Sequence, residues 1–136
     1  MAANTSPIFV LTPKNWYVNT GTTANTNLDG TGSVATLMTA GSNGSRVSKI
    51  RLTHSGTNVA TVVRIFINNG STSSTASNNV LFYEYTMAAN TLSQTAASVA
   101  AEIPIDLSLA AGYKLLVTIG TSIATGIAVS AEGGDY

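Results

Sequence analysis

The chain has 136 residues, enough for one domain with a real core, and no cysteine, which excludes a disulfide framework and a thiolate metal site. Only 9% of residues are charged, and six basic residues cancel six acidic ones. The basic excess that phosphate neutralisation demands is missing, which argues against nucleic acid as a partner. No cationic amphipathic or transmembrane-length run points to a membrane.

Residues 1–7 are small and polar and lack the basic and apolar regions of a secretory signal. Residues 1–14 read as an N-terminal arm, with a short strand at 8–11 closed by Pro13 and a single domain over 15–136. Residues 16–18 form another short strand signal. The Thr-, Asn- and Gly-rich stretch 19–32 reads as a long loop ending in the Asp29-Gly30 turn, and a strand follows at 33–38. After the turn at 41–44, residues 46–54 alternate, with Ser48, Ile50 and Leu52 on one face and Lys49, Arg51 and Thr53 on the other. Residues 59–67 are β-branched on both faces and so predict a central strand. A polar loop leads to the strand 80–86, where Tyr83 and Tyr85 share a face. Residues 87–97 carry no 3.6-residue stripe and read as a loop. The strand 99–107 contains Pro104, which cannot donate to a ladder and so predicts an edge or a bulge. Strands at 113–119 and 126–131 complete the set.

About eight strands at this spacing predict an all-β, antiparallel sandwich. A jelly roll is the first expectation and an immunoglobulin-like sandwich the alternative. No repeat or internal boundary interrupts the pattern.

The chemistry-bearing residues form no catalytic set. His54 is the sole histidine, no Gly-x-Ser-x-Gly elbow accompanies it, and it reads as a partly exposed residue at a turn. Asn25, Asn27 and Asp29 alternate like calcium-loop ligands, yet no glutamate follows, and self-bonded Asx turns are the simpler reading. Glu102 and Asp106 are four residues apart on one strand, about 13 Å by strand rise, too far for a retaining glycosidase pair. The expectation is a non-enzymatic protein with no cofactor.

The remaining candidates are interface residues. Lys49 and Arg51 share a strand face, where the simpler reading pairs them with acids such as Glu84 or Glu102 and the functional one docks them on an acidic surface. Arg64 interrupts an apolar strand and needs either an internal acid or a subunit contact. Tyr83, Tyr85 and Trp16 suit either packing or a sugar-stacking platform.

The segments Asn25-Thr-Asn-Leu-Asp-Gly-Thr-Gly32, Ala40-Gly-Ser-Asn-Gly-Ser-Arg-Val-Ser-Lys-Ile-Arg51, Val63-Arg-Ile-Phe-Ile67 and Glu132-Gly-Gly-Asp-Tyr136, in that order, resemble small structural proteins of tailed bacteriophages and prophages. The resemblance spans most of the chain from about Asn25. With the size and the β class, it implies a capsid decoration (cement) protein. Such a protein would be a trimer that binds the major capsid protein on the outer face of the virion and bridges capsomers. It would be made in the host cytoplasm and leave by lysis. The alternative is a fibre or head-spike module that binds host glycans.

Overall fold

The computed structural model describes residues 9–136. Eight strands run through them: β1 (Thr12–Asn19), β2 (Ala35–Thr39), β3 (Ser45–His54), β4 (Thr61–Asn68), β5 (Asn79–Met87), β6 (Ala100–Leu109), β7 (Lys114–Ile119) and β8 (Ile127–Asp135). The only helical piece among them is a single 3₁₀ turn, Ala76–Asn78. The expected loop over 87–97 is irregular beyond Met87, which closes β5.

The strands form two four-stranded sheets, ordered β1-β8-β3-β6 and β2-β7-β4-β5. Every pairing is antiparallel. The pairs β1·β8, β2·β7, β3·β6 and β4·β5 are those of one long hairpin folded back on itself, and β3·β8 and β4·β7 lock the roll. That connectivity is the jelly roll. It sets aside the immunoglobulin-like alternative, which distributes seven to nine strands differently between its sheets.

The core lies between the sheets. Val47, Ile50, Leu52 and Ile103 from the first sheet meet Val63, Ile65, Leu115, Val117 and Ile119 from the second, all nearly free of solvent. Alternation along each strand puts these residues inward. Each buried side chain of this size contributes about 1.5–3 kcal/mol.

The second sheet is also covered on its outer face. Phe66 and Leu116 are paired neighbours that point away from the inter-sheet core, yet they are 0% and 2% exposed. The β1–β2 loop crosses above them. Its Asn25 N–H donates to Ile119, its Asn25 carbonyl accepts from Arg64 Nη1, and its Asp29 carbonyl accepts from Asn79 Nδ2. The central-strand expectation for 59–67 therefore holds for a physical reason: β4 is buried on both faces.

Three expectations change. The first strand is not 8–11. Residue 8 lies outside the described residues, and β1 runs from Thr12 straight through Pro13, which an edge strand tolerates. Residues 12–14 of the expected arm thus belong to the sheet, while residues 1–8 lie outside the described part. Ser48 does not share a face with Ile50. The β3–β8 register shifts between Val47 and Lys49, so Ser48 is an extra residue, exposed, with its Oγ bonded to the Glu132 carbonyl. The last strand continues past Ala131 to Asp135, paired with both β1 and β3. Pro104 satisfies both halves of its reading, sitting on the edge strand β6 where the β3–β6 register shifts.

Candidate functional site

Sheet register writes the outer face of the first sheet as rows. Tyr17, Ser130, Arg51 and Glu102 form one row across β1, β8, β3 and β6, and Asn15, Glu132, Lys49 and Pro104 form the next. The bulge at Ser48 lies just beyond and turns Lys49 and Arg51 to the outside together.

Two acids hold the two cations. Lys49 Nζ lies 3.2 Å from Glu102 Oε1 and 3.3 Å from Glu132 Oε1. Arg51 Nε donates to Glu102 Oε2 at 3.0 Å, and its Nη1 reaches Glu132 Oε2 at 3.5 Å. The hydrogen bond from Arg51, joined by that from Lys49, holds the Glu102 carboxyl below the usual glutamate range. The same contact with Glu102 raises Lys49 and Arg51 above their ordinary values. Of the two readings of these cations, pairing within the sheet is the one the geometry displays. The cluster carries no net charge. At solvent-exposed positions each pair contributes little to stability, about 0–1 kcal/mol.

The same cancellation extends over the surface. Arg46 pairs with Asp106, Lys14 with Asp135 and Arg64 with Glu84. Arg64 meets its acid within the fold. Its Nε donates to Glu84 Oε1 at 2.7 Å, with the side chain only 16% exposed under the β1–β2 loop.

The aromatic candidates do not converge. Trp16 lies on β1, at the sandwich edge where β1 packs over β2. Tyr83 and Tyr85 lie on β5, the opposite edge of the β2 sheet. Trp16 and Tyr85 pack partly against the core, and Tyr83 is 40% exposed. An aromatic that drew no attention in the sequence stands out instead. Tyr17 is 83% exposed on the face that carries Lys49 and Arg51. Strict alternation with the inward Trp16 and Val18 was the signal that could have found it.

His54 is not the partly exposed residue expected at a turn. It is 4% exposed, and both ring nitrogens are engaged. Nε2 lies 2.7 Å from the Ala88 carbonyl and so carries the proton, and Nδ1 accepts from Asn58 Nδ2 at 3.0 Å. The expectation failed because both partners come from other loops. His54 belongs to a buried amide network at the pole where four connections meet: 20–34, 55–60, 88–99 and 120–126. Asn58 Nδ2 donates to the Gly126 carbonyl, and its Oδ1 accepts from Thr125 N and Oγ1. Asn90 bridges the Gly56 carbonyl and the Val99 N–H, and a two-way backbone bridge joins Asn58 to Asn90. Above this network Val59, Leu92 and Val99 stand 57%, 54% and 37% exposed. They belong to the two loops that Asn58 and Asn90 clamp, so the backbone that carries each of them is held in place.

Asn25, Asn27 and Asp29 spend their side chains on their own loop. Asn25 Nδ2 donates to the Thr31 and Ser33 carbonyls, and Asp29 Oδ1 accepts from Thr31 N and Oγ1. The Thr31 bonds also keep Asp29 below the usual carboxylate range. Among the described residues no three His, Cys, Asp or Glu side chains gather as a metal set.

No protein-family model, no curated protein and no solved structure matches this chain.

Proposed function

We propose that the chain is a bacteriophage virion structural protein, a capsid decoration protein that binds the outer surface of the head and bridges neighbouring capsomers. Its partner is the major capsid protein, and its working form is a homotrimer.

The observation that carries this reading is that three exposed apolar side chains stand on clamped loops at one end of the sandwich. Val59, Leu92 and Val99 project from loops already clamped by Asn58 and Asn90. Binding through them orders little additional chain, so most of the contact energy appears as affinity. The surrounding surface supplies no long-range field, because five of the six cations (Lys14, Arg46, Lys49, Arg51, Arg64) are matched to acids. A neutral, rigid module with a fixed apolar contact suits lasting attachment to a large protein surface better than capture of a charged ligand. The resemblance of the segments 25–32, 40–51, 63–67 and 132–136 to tailed-phage structural proteins supplies the virion context.

Re-binding to particles tests the reading. Heads of the encoding phage that lack the protein should regain resistance to heat and osmotic shock when the purified chain is added. The double variant Val59→Asp/Leu92→Asp should fold normally and fail to restore it. Heads that lack the protein and resist as well as complete ones would count against a clamp. The glycan-binding alternative does not have Trp16, Tyr83 and Tyr85 as one platform, because they occupy opposite edges of the sandwich.

A further inference from the structure

We infer that the outer face of the first sheet carries a carbohydrate-binding subsite, built from Tyr17, Asn15, Arg51, Glu132 and Ser130. The inference is independent of capsid attachment, which uses the loop pole rather than a sheet face.

Four observations converge on it. A shallow depression of about 100 Å³ opens here, between Tyr17 and Asn15 on one side and Arg51, Lys49 and Glu132 on the other. Register places the small Ser130 between Tyr17 and Arg51, and this gap in side-chain height makes the depression. Tyr17 is 83% exposed, so its ring contributes almost nothing to folding and its face is free for a ligand. The polar wall is fixed in advance: Arg51 and Lys49 are both tied to Glu132 and Glu102.

The chemistry selects the ligand. Sugars present an apolar C–H face that packs on an aromatic ring and a rim of hydroxyls that both donate and accept. Here the rim would find an amide at Asn15, a hydroxyl at Ser130, a carboxylate at Glu132 and the remaining N–H donors of Arg51. An anion has less to gain, because both cations are already matched to carboxylates and the site is neutral. Drug-sized ligands occupy pockets of about 300–1,000 Å³. The smaller depression suits one edge of a single sugar ring at the end of a longer glycan, with affinity in the millimolar range for a short oligosaccharide.

The test is NMR titration of the whole protein with a panel of short oligosaccharides of glucose, galactose, mannose and N-acetylglucosamine, with inorganic phosphate as the anion control. At least one oligosaccharide should shift the Asn15, Tyr17, Arg51, Ser130 and Glu132 resonances, and saturation of the tyrosine ring protons should pass to its C–H face. Tyr17→Ala should weaken binding about tenfold or more, while Tyr17→Phe, which keeps the ring, should retain most of it. Both variants should keep the parent melting temperature. The proposal is overturned if no panel sugar shifts these resonances, if binding survives Tyr17→Ala, or if phosphate alone produces the shifts. Loss of capsid binding in the loop-pole variants leaves this result unaffected, so the two readings fail separately.

Discussion

Replacing Asn58 with alanine removes the centre of the loop pole. Asn58 is 4% exposed and makes contacts with three partners. Its Nδ2 donates to the Gly126 carbonyl at 2.9 Å and lies 3.0 Å from His54 Nδ1, and its Oδ1 accepts from Thr125 N at 2.8 Å and Thr125 Oγ1 at 3.0 Å. Truncation leaves the Thr125 N–H and the His54 ring nitrogen without these partners, while the Gly126 carbonyl keeps its bond from the Ser55 N–H. Each such buried group costs about 1–3 kcal/mol. Water entering the vacated amide space recovers part of that, so the net loss should be about 3 kcal/mol. For a domain of this size the melting temperature should drop by about 10 °C. Urea unfolding should show a lower midpoint with an unchanged slope, since the exposed surface is the same. The double variant Asn58→Ala/His54→Ala should lose less than the sum of the two single changes, because the two residues share a bond. A loss below about 1 kcal/mol for Asn58→Ala would refute the idea that this network clamps the loops.

Phe66→Ala should cost about 3–5 kcal/mol in urea unfolding, although Phe66 lies outside the inter-sheet core, because the β1–β2 loop buries it fully. Gly133→Ala should be strongly destabilising by thermal unfolding, since a Cβ there would strike the Arg46 carbonyl on the paired strand rather than a movable side chain. Glu102 should titrate below the ordinary glutamate value of 4.5, and Arg51→Gln should bring its carbon-13 titration midpoint back up. A carboxylate depressed in the folded state stabilises above its unfolded pKa and loses that contribution as pH falls through the folded one. The acid dependence of stability below about pH 4.5 should therefore weaken in Glu102→Gln.

Much of the sheet framework was legible because inward positions repeat every second residue. The run Ala101, Ile103, Ile105 and Leu107 shows this along β6, and the β-branched density of β4 marks it as central. Alternation failed where a bulge inserts a residue, as at Ser48, since nothing in Val-Ser-Lys distinguishes an extra residue from a continuing strand. It failed again at Gly133-Gly134, which look like a tail and are instead needed where β8 runs closest to β3 and to the start of β1. Charge pairing was legible for Lys49, Arg51 and Glu102, whose strands are neighbours in sheet order. Glu132 was not seen as their partner, because it lay beyond the apparent end of its strand. His54 was misjudged for a related reason: its burial depends on Ala88 and Asn58, contributed by loops whose meeting is a property of the roll and not of the local sequence.

The assignment to the virion surface is tested most directly by an electron-microscopy reconstruction of the particle encoded with this chain. Attachment at repeated positions between capsomers on the outer head surface, in threefold groups with the Val59, Leu92 and Val99 loops facing the shell, is the predicted result. Density for the protein only at the tail, or none on the particle, would contradict it.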